Sequence, residues 1–403
     1  MKIYSRVKNV WHEGGIRLLI QKIRRRLRIS YFDLFAHQMP RGLPSVLMEV
    51  KYIEASQEDV LIAKRILTSA GKALKDEKDH AKSKSYVDAW DDLREKSHDK
   101  LSEIISSGEA RRLADYLANV HMREMTYGIS GSAEEYKQIA SNARLKKEMG
   151  GIIKDILVSF AEALCILPYE VIVPYVAKKN IYKDSDLLID EIEKKIGISI
   201  APPDIDGGLF KLALKKGFFH ERDLWSLYAA WRIGQIADKN SSICEIGAGI
   251  GKAAMYASRF GFENYSIFDL PLMNVIQAWY LIKTLPDKKI TLYGETEDSK
   301  DSVKIMPSWE FAKTDKRYGL VLNQDSFPEI SKDVVEDYLR KIKKCTKYFL
   351  SINHEHQAPL FSGTDKRNLV VPSLVEESGG FKRIYRFPFW LRKGYAEELY
   401  EIT

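Results

Sequence analysis

Three cysteines in 403 residues, Cys165, Cys244 and Cys345, are too few and too widely spaced for a disulfide framework or a metal-ligand cluster. Each has apolar neighbours in sequence, which points to a reducing cytoplasm where they pack as small hydrophobes. No apolar run is long enough to cross a bilayer. The longest stretch, Ile156 to Ala177, is broken by Glu162, Pro168, Glu170 and Pro174 and reads as buried helix and loop. The N-terminus lacks the apolar centre of a secretory signal, and the chain shows no internal repeat. Most of the chain also lacks excess positive charge. The net +7 resides in residues 1–30, where nine basic groups face Glu13 alone; the remainder holds 54 basic and 55 acidic residues. A nearly neutral body lacks the basic face that nucleic-acid binding requires.

What is present is the composition of a globular protein, 45% hydrophobic and 30% charged, long enough for two domains. In the basic arm, residues 1–30, Ile16, Leu19, Ile20, Ile23 and Leu27 share one helical face, with Arg17, Lys22, Arg24, Arg25, Arg26 and Arg28 around it. Such a helix suits peripheral contact with an anionic membrane, at the inner face of the cytoplasmic membrane, or packing on the protein's own body or a second subunit. Residues 31–235 read as a mainly helical domain. Ser56-Gln57-Glu58-Asp59 supplies an N-cap and early acids. Helices are expected over Ser85–Ser106, Glu109–Met125 and Ala133–Met149, with breaks at Tyr127–Ser132 and Gly150-Gly151. Ala201-Pro202-Pro203-Asp204 and Gly207-Gly208 mark a linker. No catalytic motif stands out in this region, which is expected to cap an acceptor pocket.

Residues 236–403 carry the chemistry. A helix over Asp223 to Ala237 leads into the buried strand Ser242–Ile246, followed by the glycine loop Glu245-Ile246-Gly247-Ala248-Gly249-Ile250-Gly251 and a helix over Lys252–Phe260. A strand-to-helix glycine turn alone is shared with dinucleotide-binding folds. Here the third glycine comes one residue early, at Gly251 rather than at Lys252, and Glu245 at the loop's mouth would repel a pyrophosphate. Both features favour a ligand with a cationic tail and no phosphate, which S-adenosylmethionine is. Tyr265–Asp269 is the next strand, its terminal carboxylate placed for ribose hydroxyls. Leu270-Pro271 opens the following helix. A third strand, Lys289–Tyr293, ends at Gly294-Glu295, with Glu295 within reach of an adenine edge. The fourth, Tyr318–Leu322, ends in Asn323-Gln324-Asp325-Ser326-Phe327-Pro328-Glu329, and the fifth, Tyr348–Ile352, ends in Asn353-His354-Glu355-His356. Phe381–Phe389 and Tyr395–Ile402 form a closing antiparallel hairpin. The fold class is therefore α/β: a Rossmann-like class I methyltransferase sheet with helices on both faces, behind a helical N-terminal domain. Glu245, Gly247, Ala248, Gly249, Gly251, Asp269, Leu270, Glu295, Asn323 and Arg232 are the expected cofactor contacts, with Arg232 on the cofactor's carboxylate.

The segments Tyr228–Ile233, Glu245–Gly251, Phe268–Pro271, Asn323–Glu329 and Ser351–Glu355 resemble the bacterial family of sugar O-methyltransferases of polysaccharide and lipopolysaccharide biosynthesis. The resemblance covers residues 220–360 and implies transfer of a methyl group to a sugar hydroxyl on a free, nucleotide-linked or lipid-linked acceptor. A hydroxyl is a poor nucleophile, so a general base is expected, and His354 has the best-matched pKa, with Glu355 or Asp325 orienting or replacing it. Asn274, Glu329 and His356 are expected acceptor contacts. A divalent cation on His354 and His356 lacks a clear third ligand, and no metal is expected. Two rival readings are a small-molecule O-methyltransferase and a cofactor-binding scaffold in a glycan assembly complex. A third, base methylation of nucleic acid, lacks its Pro-Pro-aromatic run after strand four.

Overall fold

The computed structural model describes residues 45–46, 52–81, 99–123, 139–170, 180–205, 211–296, 301–356 and 368–403. The chain divides into two compact units, residues 1–44 and 45–403. The basic arm, the Tyr127–Ser132 break and Gly207-Gly208 lie outside the described residues.

In chain order the second unit contains helices α1 (Gln57–Ala81), α2 (Asp99–Ser107), α3 (Ala110–Ala118), α4 (Ala143–Ala163) and α5 (Ser185–Ile196). The small hairpin β1 (Leu212–Leu214) and β2 (Gly217–Phe219) precedes α6 (Glu221–Ile236). Then come β3 (Ile243–Ile246), α7 (Lys252–Arg259), β4 (Tyr265–Asp269), α8 (Pro271–Thr284), β5 (Ile290–Leu292) and β6 (Val303–Pro307). The chain continues through α9 (Glu310–Lys313), β7 (Tyr318–Gln324), α10 (Lys332–Cys345), β8 (Thr346–His354), α11 (Val371–Ser378), β9 (Phe381–Pro388) and β10 (Tyr395–Ile402).

Eight strands form one sheet in the order β5-β6-β4-β3-β7-β8-β10-β9. The first six run parallel, and β10 enters antiparallel between β8 and β9. Strand order reverses at β3, so the crevice at the carboxyl ends of β3, β4 and β7 is where such a sheet takes a ligand. Apart from the added edge strand β5, this is the class I methyltransferase sheet expected from the sequence. β3 is buried at all four positions, as a two-sided parallel strand requires.

No seam falls at residue 235. Helix α6 packs on both α4 and α7, and α1 lies on α8. At the start of α1, Ser56 Oγ accepts from the Asp59 amide at 3.1 Å while Asp59 accepts from the Ser56 amide at 2.9 Å, a reciprocal cap. Gly150-Gly151 does not break the chain: α4 runs straight through, and both glycines are buried. Cys244 and Cys345 are buried as expected, but Cys165 is exposed, in a left-handed conformation after α4. Among the described residues no helix is long and apolar enough to cross a membrane.

The third parallel strand of the ligand-binding half differs from the sequence expectation. β6, not the segment at Lys289–Tyr293, lies beside β4, and β5 is pushed to the sheet edge.

Candidate functional site

The glycine loop leaves β3 in a backbone that side chains resist. Gly247, Gly249 and Gly251 have φ of 75°, 55° and 95°. At Gly247 space is excluded as well, since an added Cβ would lie 2.5 Å from the Ser326 Cβ. Asp269 at the tip of β4 holds the loop in place. Its carboxylate accepts from the Ala248 amide (2.9 Å), the Leu270 amide (2.8 Å) and Gln277 Nε2 (2.6 Å). Gln277 Nε2 also donates to Gly249 O at 3.0 Å, and Asn274 donates to Gln277 Oε1 at 2.9 Å. Burial pushes the Asp269 pKa up to about 6 against these bonds. Asn274 thus supports the loop through Gln277, while its Oδ1 has no hydrogen-bonding partner among the described residues.

Glu245 is buried on β3, and its carboxyl accepts from the Tyr265 hydroxyl at 2.9 Å. Burial, reinforced by the nearby Asp269 charge, raises its pKa to about 8. The hydrogen bond from Tyr265 is thus its contact on β3, beside the loop's mouth.

Two adjoining cavities open at this crevice. The larger, of about 830 Å³ with its mouth, lies against Gly247, Gly249, Phe268, Asp269 and Leu270. Met273, Ile330, Val334 and Tyr338 give it an apolar lining, which Asp325 and Glu329 interrupt. The smaller cavity runs from Glu245, Gly247 and Ala248 to Trp225 and Lys252. Arg222, Gly247, Gly249, Gln324 and Asp325 border both.

Arg222 is the residue that sequence reasoning missed. It sits in the first turn of α6, positioned by a capping box in which His220 Nδ1 accepts from the Arg222 amide (3.1 Å) and Asp223 accepts from the His220 amide (2.8 Å). Asp223 also pairs with Lys252, fastening that turn to the helix after the glycine loop. Burial pulls the Arg222 pKa down, and among the described residues no hydrogen bond reaches its guanidinium. A cation in a helix's first turn opposes the helix dipole, which was the available signal in the sequence.

Arg232, expected at the cofactor, is instead consumed in the core. Its Nε donates to Glu397 at 2.7 Å and its terminal nitrogen to the Tyr385 hydroxyl at 2.6 Å, while Tyr228 donates to the same Glu397 at 2.6 Å. Glu397 is fully buried on β10, so the pair ties α6 to the closing hairpin. Asn323 is likewise structural. Its amide donates to Ile246 O (2.9 Å) and Ser326 Oγ (2.6 Å) and its Oδ1 accepts from Asn353 (2.9 Å), knotting the tips of β3, β7 and β8. Glu295 is drawn away by Arg65, at 2.6 and 2.8 Å, because β6 intervenes between its strand and β4; Ser308, just past β6, lines the cleft in its place.

The tips of β7 and β8 diverge. Asp325 adopts a left-handed φ of 61°, held by Arg392 (2.6 Å) and the Tyr395 hydroxyl (2.5 Å), both from the β9–β10 hairpin. Arg392 stacks over the Trp225 and Tyr395 rings, 4.2 and 3.9 Å from their centroids. Glu329, three residues past Ser326, faces the larger cavity. Burial and the Asp325 charge raise its pKa to about 8. His354 borders neither cavity: its ring lies edge-on to Tyr395, its Nδ1 accepts from the His356 amide at 3.3 Å, and burial lowers its pKa. Glu355 does not orient it, because both carboxylate oxygens are taken by Arg386 on β9, at 2.7 and 2.8 Å. His356 is exposed. Among the described residues no group of three or more His, Cys, Asp or Glu converges as a metal site.

No protein-family model and no curated protein sequence matches the chain. Solved structures do. One is a glycopeptide N-methyltransferase complexed with S-adenosyl-L-homocysteine, 15% identical, covering 44% of this chain and 90% of that one at a TM-score of 0.33. Another is the magnesium protoporphyrin IX methyltransferase from Synechocystis PCC 6803 with bound SAM (10%, 46% and 80%, 0.31). A third is the ribosomal protein L11 methylase from Lactobacillus delbrueckii subsp. bulgaricus (11%, 46% and 80%, 0.31). The strand order of the sheet, rather than these loose superpositions, identifies the fold.

Proposed function

We propose that this chain is an S-adenosylmethionine-dependent methyltransferase that methylates a sugar hydroxyl in bacterial polysaccharide or lipopolysaccharide assembly. The observation that carries the cofactor is the half-buried Arg222 guanidinium, which lies over the Trp225 ring and makes no hydrogen bond among the described residues, in a crevice that also holds Asp269 and an apolar lining. The residues fit the cofactor part by part. Asp269 serves the ribose hydroxyls, Phe268, Met273, Ile330 and Tyr338 flank the adenine, and Arg222 receives the methionine carboxylate. The cofactor supplies an electrophilic methyl group on a sulfonium. The chain's residues orient the acceptor oxygen and take its proton.

Support for a sugar acceptor comes from the resemblance at Asn323–Glu329 and Ser351–Glu355 and from Asp325 and Glu329 in the lining of the cleft, carboxyl groups to which a polyol can hydrogen-bond. Calorimetric titration with S-adenosylhomocysteine tests the cofactor; absence of binding would end the reading. Labelled methyl transfer is then expected to nucleotide-sugar or lipid-linked glycan acceptors and not to polyphenols. Label appearing in polyphenols alone would replace the sugar with a small aromatic acceptor.

A further inference from the structure

Glu329 has no part in holding the fold together. It ends the short turn Phe327–Glu329, its carboxyl receives no hydrogen bond among the described residues, and it lines the larger cavity together with Asp325 and Arg222. A carboxyl so placed has little reason to stay there unless its proton is used. We propose that Glu329 is the proton acceptor of the cleft and that it is armed by cofactor charge: it holds a proton in the empty site and releases it to solvent when a sulfonium cation binds. The resulting carboxylate is free to take the proton of an acceptor hydroxyl. The proposal rests on the cofactor reading above.

The charges around Glu329 make it responsive. Asp325, on the same connection after β7, repels an ionised Glu329, while Arg222 from α6 and Arg392 from the hairpin loop favour it. Tyr395, on β10, is close enough for its hydroxyl to feel the Glu329 charge. Asp325 is already bound to Arg392 and Tyr395, so the hairpin's cation is largely spent on Asp325. Arg222 is spent in turn once it faces a ligand carboxylate. The sulfonium then becomes the cation that Glu329 sees, and a positive charge beside a buried acid lowers its pKa.

The test compares two ligands that differ in the charge on sulfur. Calorimetric titration of the full chain near pH 7, in buffers of different ionisation enthalpy, counts protons released on binding. S-adenosylmethionine is expected to expel most of a proton and S-adenosylhomocysteine, with a neutral thioether, markedly less. In Glu329→Gln, which removes no hydrogen bond, both ligands still bind and the difference between them disappears. Infrared difference spectra provide a second readout, a protonated-carboxyl band lost when S-adenosylmethionine is added to the unsubstituted protein and absent from the variant. Equal proton release by both ligands, or a difference that survives Glu329→Gln, overturns the assignment to Glu329. Failure of both ligands to bind the unsubstituted protein overturns the cofactor reading beneath it.

Discussion

Helix α6 carries two arginines ten residues apart, and its two ends have opposite fates. At the carboxyl-terminal end, Arg232 meets Glu397, Tyr385 and, through Glu397, Tyr228; every charge there has a partner within 2.8 Å. At the amino-terminal end, Arg222 is half-buried where two cavities adjoin, and none of the described residues hydrogen-bonds its guanidinium. A buried charge that is fully paired is committed to the fold, whereas one left unpaired reserves a place for a ligand charge. Burial and residue type are the same at both ends, so the distinction lies in partners that the sequence around each arginine does not show.

The sharpest way to break this comparison is at the paired end. Arg232→Ala strands Glu397 in the core and is expected to cost about 3–5 kcal/mol of stability by denaturant unfolding. Adding Glu397→Gln should recover a substantial part, because the uncompensated charge is then gone. A loss below about 1 kcal/mol would mean the pair does not tie the helix to the hairpin. At the other end, Arg222→Ala is expected to weaken S-adenosylhomocysteine binding by about 30-fold or more while unfolding stability stays level or rises, since a desolvated, unpaired cation is removed. Equal affinity for the ligand would return Arg222 to the fold.

The pH dependence sharpens the same contrast on the acidic side. Glu245 has a folded-state pKa of about 8, raised above the ordinary carboxyl value. Its contribution is therefore fully present below about pH 4.5 and is lost as pH rises through about 8. Unfolding free energy is expected to fall over that window, and Glu245→Gln should flatten the slope; an unchanged slope would assign it to other groups. The smallest effect belongs to the outward-facing tip of β8. Glu355→Ala removes a half-exposed ion pair with Arg386 and should cost less than about 1 kcal/mol, leaving ligand affinity unchanged by calorimetry.

The parts of the site that were legible in the sequence are those whose reasons are local. Gly247 to Gly251 follow a four-residue apolar strand, and Asp269 closes the next one, so strand, turn and carboxylate could all be read in order. The third strand was misplaced because β6 is preceded by charged residues and ended by Pro307, while the stretch before Gly294 is equally apolar. At β7 and β8 the sequence located two polar clusters at strand ends but not the direction each faces. Asp325 is turned into the cleft by Arg392 and Tyr395, 67 and 70 residues downstream. Glu355 is turned out by Arg386, 31 residues downstream. His354, the best chemical candidate by pKa, stands outside both cavity walls. The proposal of Glu329 in its place rests on its position in the cleft and on the absence of hydrogen-bonding partners among the described residues, neither of which leaves a mark in local sequence.

The β9–β10 hairpin has a consequence for how the protein is made. The glycine loop and Asp269 can take shape once about two-thirds of the chain has left the ribosome, because their partners are close by in sequence. Asp325 cannot be held in its left-handed backbone until Arg392 and Tyr395 emerge, and Arg232 waits as long for Glu397. A nascent chain therefore passes through a stage with its ligand loop formed but its acidic wall unbraced and a core arginine still hydrated. Pairing of β9 and β10 is therefore the step that completes the acidic wall of the crevice and seats Arg232 in the core.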